Sequence, residues 1–196
     1  KSNMLEYNCE TMKKYLYEDL YNLEEKHWWH ISKRRIVQIL IKKYNHIKNP
    51  RILDIGCGAG KNMEELKKFG ETYGIDNAKD AIYYCLKRGI KNVTLADARK
   101  TKFRSNYFDI ITVLDVLEHT DDKTTLKEIR RILKKNGLLI ITVPAFSWLW
   151  SKWDEVLNHK KAFDFILHHK GDITKEFICN IHKIVVKDTL KEELNT

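Results

Sequence analysis

The run Arg51-Ile-Leu-Asp-Ile-Gly-Cys-Gly-Ala-Gly60 reads, in succession, as a buried strand, a glycine turn and the start of a helix. Ile52 to Ile55 is mostly branched and apolar, the pattern of a strand covered on both faces of a parallel sheet. Glycines at 56, 58 and 60 allow positive φ and let a ligand approach the backbone closely. A helical pattern follows over 61–69, and the first turn of a helix offers unpaired N–H groups. These features point to a nucleotide-like ligand without naming it. The spacing G-x-G-x-G, with lysine at 61, is not the G-x-G-x-x-G of dinucleotide sites. A P-loop is excluded because no G-K-[ST] follows.

Upstream, Leu5, Cys9, Met12, Leu16, Leu20 and Leu23 lie three or four apart and predict a helix over 3–24. Leu23-Glu-Glu-Lys-His-Trp-Trp-His30 leads to a second predicted helix over 32–44, with Ser32 as its N-cap, and Asn49-Pro50 closes this section. Downstream, strands are expected over 72–75, 93–95, 108–114 and 138–143. Helices are expected over 61–69, 78–88 and 122–135, ending at Gly70, Gly89 and Asn136-Gly137. Strands alternating with helices imply parallel pairing through right-handed crossovers. The fold class is therefore α/β: a Rossmann-like, doubly wound, mostly parallel sheet with helices on both faces and an N-terminal helical lid. One domain is expected over 1–196, with a cap over 1–48, a ligand-binding core over 50–145 and a substrate-side segment over 146–196. In such sheets ligands bind beyond the carboxyl ends of the strands, and Asp54, Asp76, Asp97 and Asp115 fall at or near four such ends.

The chain has 196 residues, enough for one α/β domain with a sizeable core. Cysteines at 9, 57, 85 and 179 form no C-x-x-C pair, so neither a disulfide framework nor a zinc site is suggested, and no metal is expected. A reducing, cytoplasmic compartment fits that usage, and no apolar run is long enough to span a membrane. The formal charge of +9 raises a nucleic-acid reading. Its excess is mostly lysine spread along the chain, with small clusters such as Lys33-Arg34-Arg35, which reads better as a solvated surface.

The run Asp54-Ile-Gly-Cys-Gly-Ala-Gly60 resembles the first motif of class I methyltransferases, which bind S-adenosylmethionine (SAM). Phe108-Asp-Ile-Ile-Thr-Val-Leu-Asp-Val-Leu-Glu-His119 resembles the strand of the small-molecule, type 11 branch that includes ubiquinone-biosynthesis enzymes. The stretches Leu23 to His30 and Val143-Pro-Ala-Phe-Ser-Trp-Leu-Trp150 are similar to a type 11 subgroup. The resemblance covers about residues 15–160. It implies SAM as cofactor, S-adenosylhomocysteine as product, and a small-molecule, lipid-linked or sugar acceptor. Base methylation is disfavoured: Leu114-Asp-Val-Leu117 carries no N/D/S-P-P-aromatic loop, and there is no Pro-Cys nucleophile. No DNA partner is expected. The alternatives are an RNA- or protein-directed enzyme, with RNA the less favoured partner, and a non-catalytic SAM-binding subunit.

The resemblance assigns the methionine end of SAM to Gly56, Cys57, Gly58 and Gly60, with Leu114 beside them, and has Asp54 hold that loop or the ligand's ammonium group, directly or through water. Asp76, with Asn77, stands about 20 residues past the glycine turn, where a carboxylate accepts both ribose hydroxyls. It could instead cap the helix that follows. Asp97 is suited to an adenine amino group and the Ala98 N–H to a ring nitrogen, or Asp97 simply forms the turn. Methyl transfer from a sulfonium is an in-line displacement needing chiefly alignment, and a base only where the acceptor loses a proton. His119 is the candidate base, against a surface or capping role, and Asp115 is a candidate contact to ligand or acceptor. Trp28, Trp29, Trp148 and Trp150 either wall the acceptor site or pack the N-terminal helices onto the sheet. Class I folds end in an antiparallel hairpin. Here Lys183-Ile-Val-Val-Lys187 supplies one strand and its partner has no obvious candidate, so the hairpin is expected to be incomplete, with a dimer through the exposed sheet edge as one remedy.

Overall fold

The computed structural model describes residues 14–143. Five parallel strands form one sheet in the order β3-β2-β1-β4-β5. They are β1 (Arg51–Ile55), β2 (Glu71–Asp76), β3 (Val93–Leu95), β4 (Phe108–Leu114) and β5 (Leu133–Thr142). The helices are α1 (Lys14–Lys26), α2 (Trp28–Tyr44), α3 (Lys61–Leu66), α4 (Lys79–Lys87) and α5 (Asp122–Ile132). A short 3₁₀ turn over Leu117–His119 follows β4.

The central strands are apolar along their length because helices cover both faces. On one face Leu53, Ile55, Ile111 and Val113 pack with Leu126, Ile129 and Ile132 of α5. On the other, Ile52, Ile110 and Ile140 meet Val37, Leu40 and Ile41 of α2 and Leu66 of α3. Each fully buried Leu or Ile contributes about 1.5–3 kcal/mol relative to exposure, so this double layer fixes where the strand ends fall. The strand order reverses between β1 and β4, which opens a crevice beyond the carboxyl ends of those two strands.

The structure departs from the sequence expectation at several helix boundaries: α1 runs on to Lys26, α3 stops at Leu66, and the start of α2 and the end of α5 differ for identifiable reasons. α2 begins at Trp28, four residues before Ser32, and its capping residue His27 makes no side-chain cap bond. The break from α1 is only a corner: His27 N–H donates to Leu23 O at 2.8 Å and Ile31 N–H donates to His27 O at 3.2 Å. His27 itself is extended (ψ 126°), so the helical ladder is interrupted there and the corner is bridged by these two bonds. α5 stops at Ile132 because Leu133 already pairs with Phe108, after which Leu138 pairs with Ile110. Residues 134–137 bulge out against the single residue Asp109, and the Lys134 ammonium uses that bulge to reach Asp109 Oδ1 at 2.6 Å.

α1 lies across the carboxyl end of the sheet. Tyr17, Leu20 and Tyr21 pack on Ala59 of the glycine loop and on Ala78, Ala81 and Tyr84 at and beyond the start of α4. The N-terminal segment therefore covers the crevice. Trp148, Trp150, the expected strand over 183–187 and the first turns of the expected helix over 3–24 lie outside the described residues.

Candidate active site

The glycine loop is built as its residues demand. Gly56, Gly58 and Gly60 have φ of 70°, 54° and 87°, in the left-handed region. A Cβ at Gly56 would strike Val116, and one at Gly60 would lie 2.7 Å from Ile90 Cδ1 and 2.9 Å from Cys85 Sγ. The N–H groups of Gly56 and Cys57 both donate to Ile75 O, at 2.8 and 3.1 Å, which ties the loop to β2. Cys57 itself turns inward, its sulfur 3.9 Å from that of Cys85.

Two carboxylates address this loop. Asp54 is 2 % exposed, and its Oδ1 accepts from Asn62 Nδ2 at 3.0 Å and from Thr112 Oγ1 at 2.6 Å. Burial pushes its pKa up to about 6, against the lowering effect of those two bonds. Asp76 Oδ2 accepts from Gly58 N–H at 3.0 Å and Oδ1 from Ala78 N–H at 3.0 Å. Its pKa is also raised by burial, against those amide bonds. Of the two roles foreseen for Asp76, the bond to Ala78 N–H is of the helix-start kind, and the second oxygen also holds the glycine loop. Among the described residues neither carboxylate forms an ion pair, since every hydrogen-bonding partner is a neutral donor.

The remaining candidates are distributed around the same edge. Asn77 is exposed and Ala98 buried. Asp97 lies two residues beyond β3 with its side chain 45 % exposed, and its two oxygens take the Arg99 guanidinium at 2.6–3.0 Å, which holds its pKa below the usual range. Leu114 ends β4 and packs toward α2. Asp115 follows at φ 57°, a strained position for a residue with a side chain. Its Oδ2 meets Lys33 Nζ of α2 at 2.6 Å and its Oδ1 accepts from Thr142 Oγ1 at 2.8 Å, so it ties the cap to the ends of β4 and β5. His119 closes the 3₁₀ turn and is exposed.

Trp28 and Trp29 are 66 % and 45 % exposed, edge-to-face at 5.7 Å between centroids, with His27 stacked on Trp28. Packing of these two rings onto the sheet is therefore not what they do. His30, half-buried beside them, has its pKa lowered to about 4 by burial and by the Lys33 charge, and stays neutral.

Sequence reasoning missed three groups. In the Lys33-Arg34-Arg35 cluster Arg35 is exposed, but Lys33 pairs with Asp115, and Arg34 is buried with its Nε on Glu65 at 2.7 Å and Nη1 on Glu24 O at 2.5 Å. Glu118 is 5 % exposed, and burial together with the Asp115 charge pushes its pKa up to about 8. Glu24, the acidic residue of the Leu23–His30 motif, is 9 % exposed and sits over the glycine loop. The motif itself was the signal available for it.

Residues 53–141, the span from β1 to β5, match the family described as a methyltransferase domain, type 11. Over that span the chain is similar to methyltransferase domains. An uncharacterized protein of Methanocaldococcus jannaschii is 31% identical over 156 residues, covering 79% of this chain and 64% of its own length. A ubiquinone biosynthesis O-methyltransferase of Bradyrhizobium diazoefficiens is 31% identical over 114 residues, covering 55% of this chain and 45% of its own. The chain thus spans just under two thirds of the first relative and less than half of the second. A putative SAM-dependent methyltransferase of Methanococcus maripaludis shares the fold, with a TM-score of 0.61 at 20% identity over 97% of this chain and 88% of that one. Among the described residues, no group of His, Cys, Asp and Glu side chains could hold a metal ion, and no helix is long and apolar enough to cross a membrane.

Proposed function

We propose that this chain transfers a methyl group from SAM to a small-molecule, lipid-linked or sugar acceptor. The observation that carries the proposal is the pair of buried carboxylates, Asp54 and Asp76, that among the described residues meet neutral donors around a positive-φ glycine loop. An uncompensated buried carboxylate is costly, and a ligand bearing cationic and hydroxyl groups supplies what these two lack. SAM offers a sulfonium, an ammonium group and a ribose diol, and the donor set fits it. When bound, its sulfonium supplies an already activated methyl group.

The chain's own part is alignment and exclusion of water. Gly56, Cys57, Gly58 and Gly60 would follow the methionine end, with Asp54 beneath them and Leu114 alongside. Asp76 and Asn77 would hold the ribose, and Asp97 and Ala98 the adenine, Asp97 sharing its carboxylate with Arg99. Asp115, already committed to Lys33 and Thr142, would shape the acceptor rim, leaving His119 to take a proton where the acceptor must lose one. The exposed Trp28 and Trp29 would grip an apolar ring or chain of the acceptor.

Calorimetry with S-adenosylhomocysteine tests the core of this. The full chain should bind it, and Asp76→Ala should weaken binding about 100-fold, about 2.7 kcal/mol. Equal affinity in the variant removes the ribose assignment. An RNA acceptor would announce itself by affinity that falls steeply with salt.

A further inference from the structure

The Leu23–His30 motif contains one residue whose position the fold alone does not require. Glu24 projects from α1 onto the glycine loop, where a Cβ added at Gly58 would come 3.4 Å from its Oε1. Its Oε2 accepts from Lys61 N–H at 3.3 Å and lies 3.6 Å from Arg88 Nη2. That guanidinium is already engaged elsewhere: Nη1 meets Glu25 at 2.7 Å, Nε donates to Ala59 O at 3.0 Å and Nη2 to Tyr21 O at 3.1 Å. Arg34 donates to the backbone oxygen of Glu24, not to its carboxylate. A carboxylate this buried therefore holds one long amide bond and one loose ion pair. Charge-assisted bonds normally close to about 2.7–2.9 Å. Asp54 lies close enough to repel it, and burial raises its pKa to about 7 against the opposing pull of Lys61 N–H, Arg88 and Arg34.

We propose that Glu24 is a specificity residue for the amino-acid end of the cofactor, its carboxylate receiving the α-ammonium group where Gly58 leaves room for close approach. The proposal rests on the cofactor assignment above. The ammonium would supply the short, charged contact that Arg88 does not, and would neutralise the repulsion between Glu24 and Asp54. Because Glu24 belongs to α1, the same contact fastens the N-terminal helix over the bound ligand. Asp76, on the far side of Gly58, serves the ribose in that arrangement, so the two ends of the ligand are read by different carboxylates.

Two probes separate the ends. S-adenosylhomocysteine carries the ammonium group, and 5′-methylthioadenosine is the same nucleoside without the amino-acid end. Calorimetry on the full chain with Glu24→Gln, which keeps shape and removes charge, should show S-adenosylhomocysteine weakened about tenfold or more and methylthioadenosine unchanged within about twofold. Glu24→Asp should recover part of the loss. An equal loss for both probes in Glu24→Gln would make Glu24 a structural cap for the loop and overturn the proposal, as would no loss for either. If the unaltered chain binds neither probe, the cofactor assignment itself is what fails.

Discussion

Asp54 and Asp109 sit on neighbouring parallel strands, at opposite ends of the sheet, and both are buried. Asp109, at the amino end, accepts from Arg51 N–H at 2.9 Å and from the Lys134 ammonium at 2.6 Å. Burial raises its pKa, but the lysine and the amide outweigh that and hold it below the usual range. Asp54, at the carboxyl end, has among the described residues an amide and a hydroxyl as its donors, and burial wins. The same residue type is thus closed off by its own chain at one end and left short of charge at the other. An enzyme site needs the second condition and a scaffold the first, and this difference is what supports placing the proposed chemistry at the carboxyl end.

The contrast can be broken by exchanging charge for shape at each end. Asp109→Asn strands a lysine and should cost about 3 kcal/mol of stability by denaturant titration, at the lower end of broken buried pairs because Lys134 is partly exposed. Its affinity for S-adenosylhomocysteine should stay within about twofold. Asp54→Asn should do the reverse, with affinity falling about 30-fold, about 2 kcal/mol, and little loss of stability. If both variants lose stability alike and binding is untouched, the two ends do not differ in kind.

Glu118, buried in the turn after β4, offers a pH-dependent test of burial at the same end of the sheet. Its folded-state pKa is raised from 4.5 to about 8, so the folded protein holds a proton that the unfolded chain releases. That stabilisation is present below about pH 4.5 and is lost as pH rises toward 8. Glu118→Gln, which imitates the protonated form, should therefore leave stability nearly unchanged at pH 5 and raise it by about 1 kcal/mol at pH 9. Equal effects at both values would place the carboxylate's cost elsewhere.

Much of the sheet was legible because its rules are local. Ile52–Ile55 and Ile110–Leu114 are too apolar to lie anywhere but between two helical layers, and the glycines at 56, 58 and 60 require a turn at that spot. The ends of α2 and α5 were not legible, because a corner kept by two backbone bonds and a bulge filled by Lys134 depend on partners distant in sequence. Asp54 and Asp76 could be placed from strand ends alone. Glu24, Lys33 and Arg34 could not, since nothing in a helix's periodicity says which of its charged side chains will be drawn under a lid.

Asp115 combines a left-handed backbone with the tie between α2 and the strand ends. Glycine would suit its conformation better and would sever that tie at the same stroke. Conformational ease and anchorage therefore pull in opposite directions at one codon, and a search that rewards thermal robustness alone would be drawn toward the very replacement that unfastens the cap.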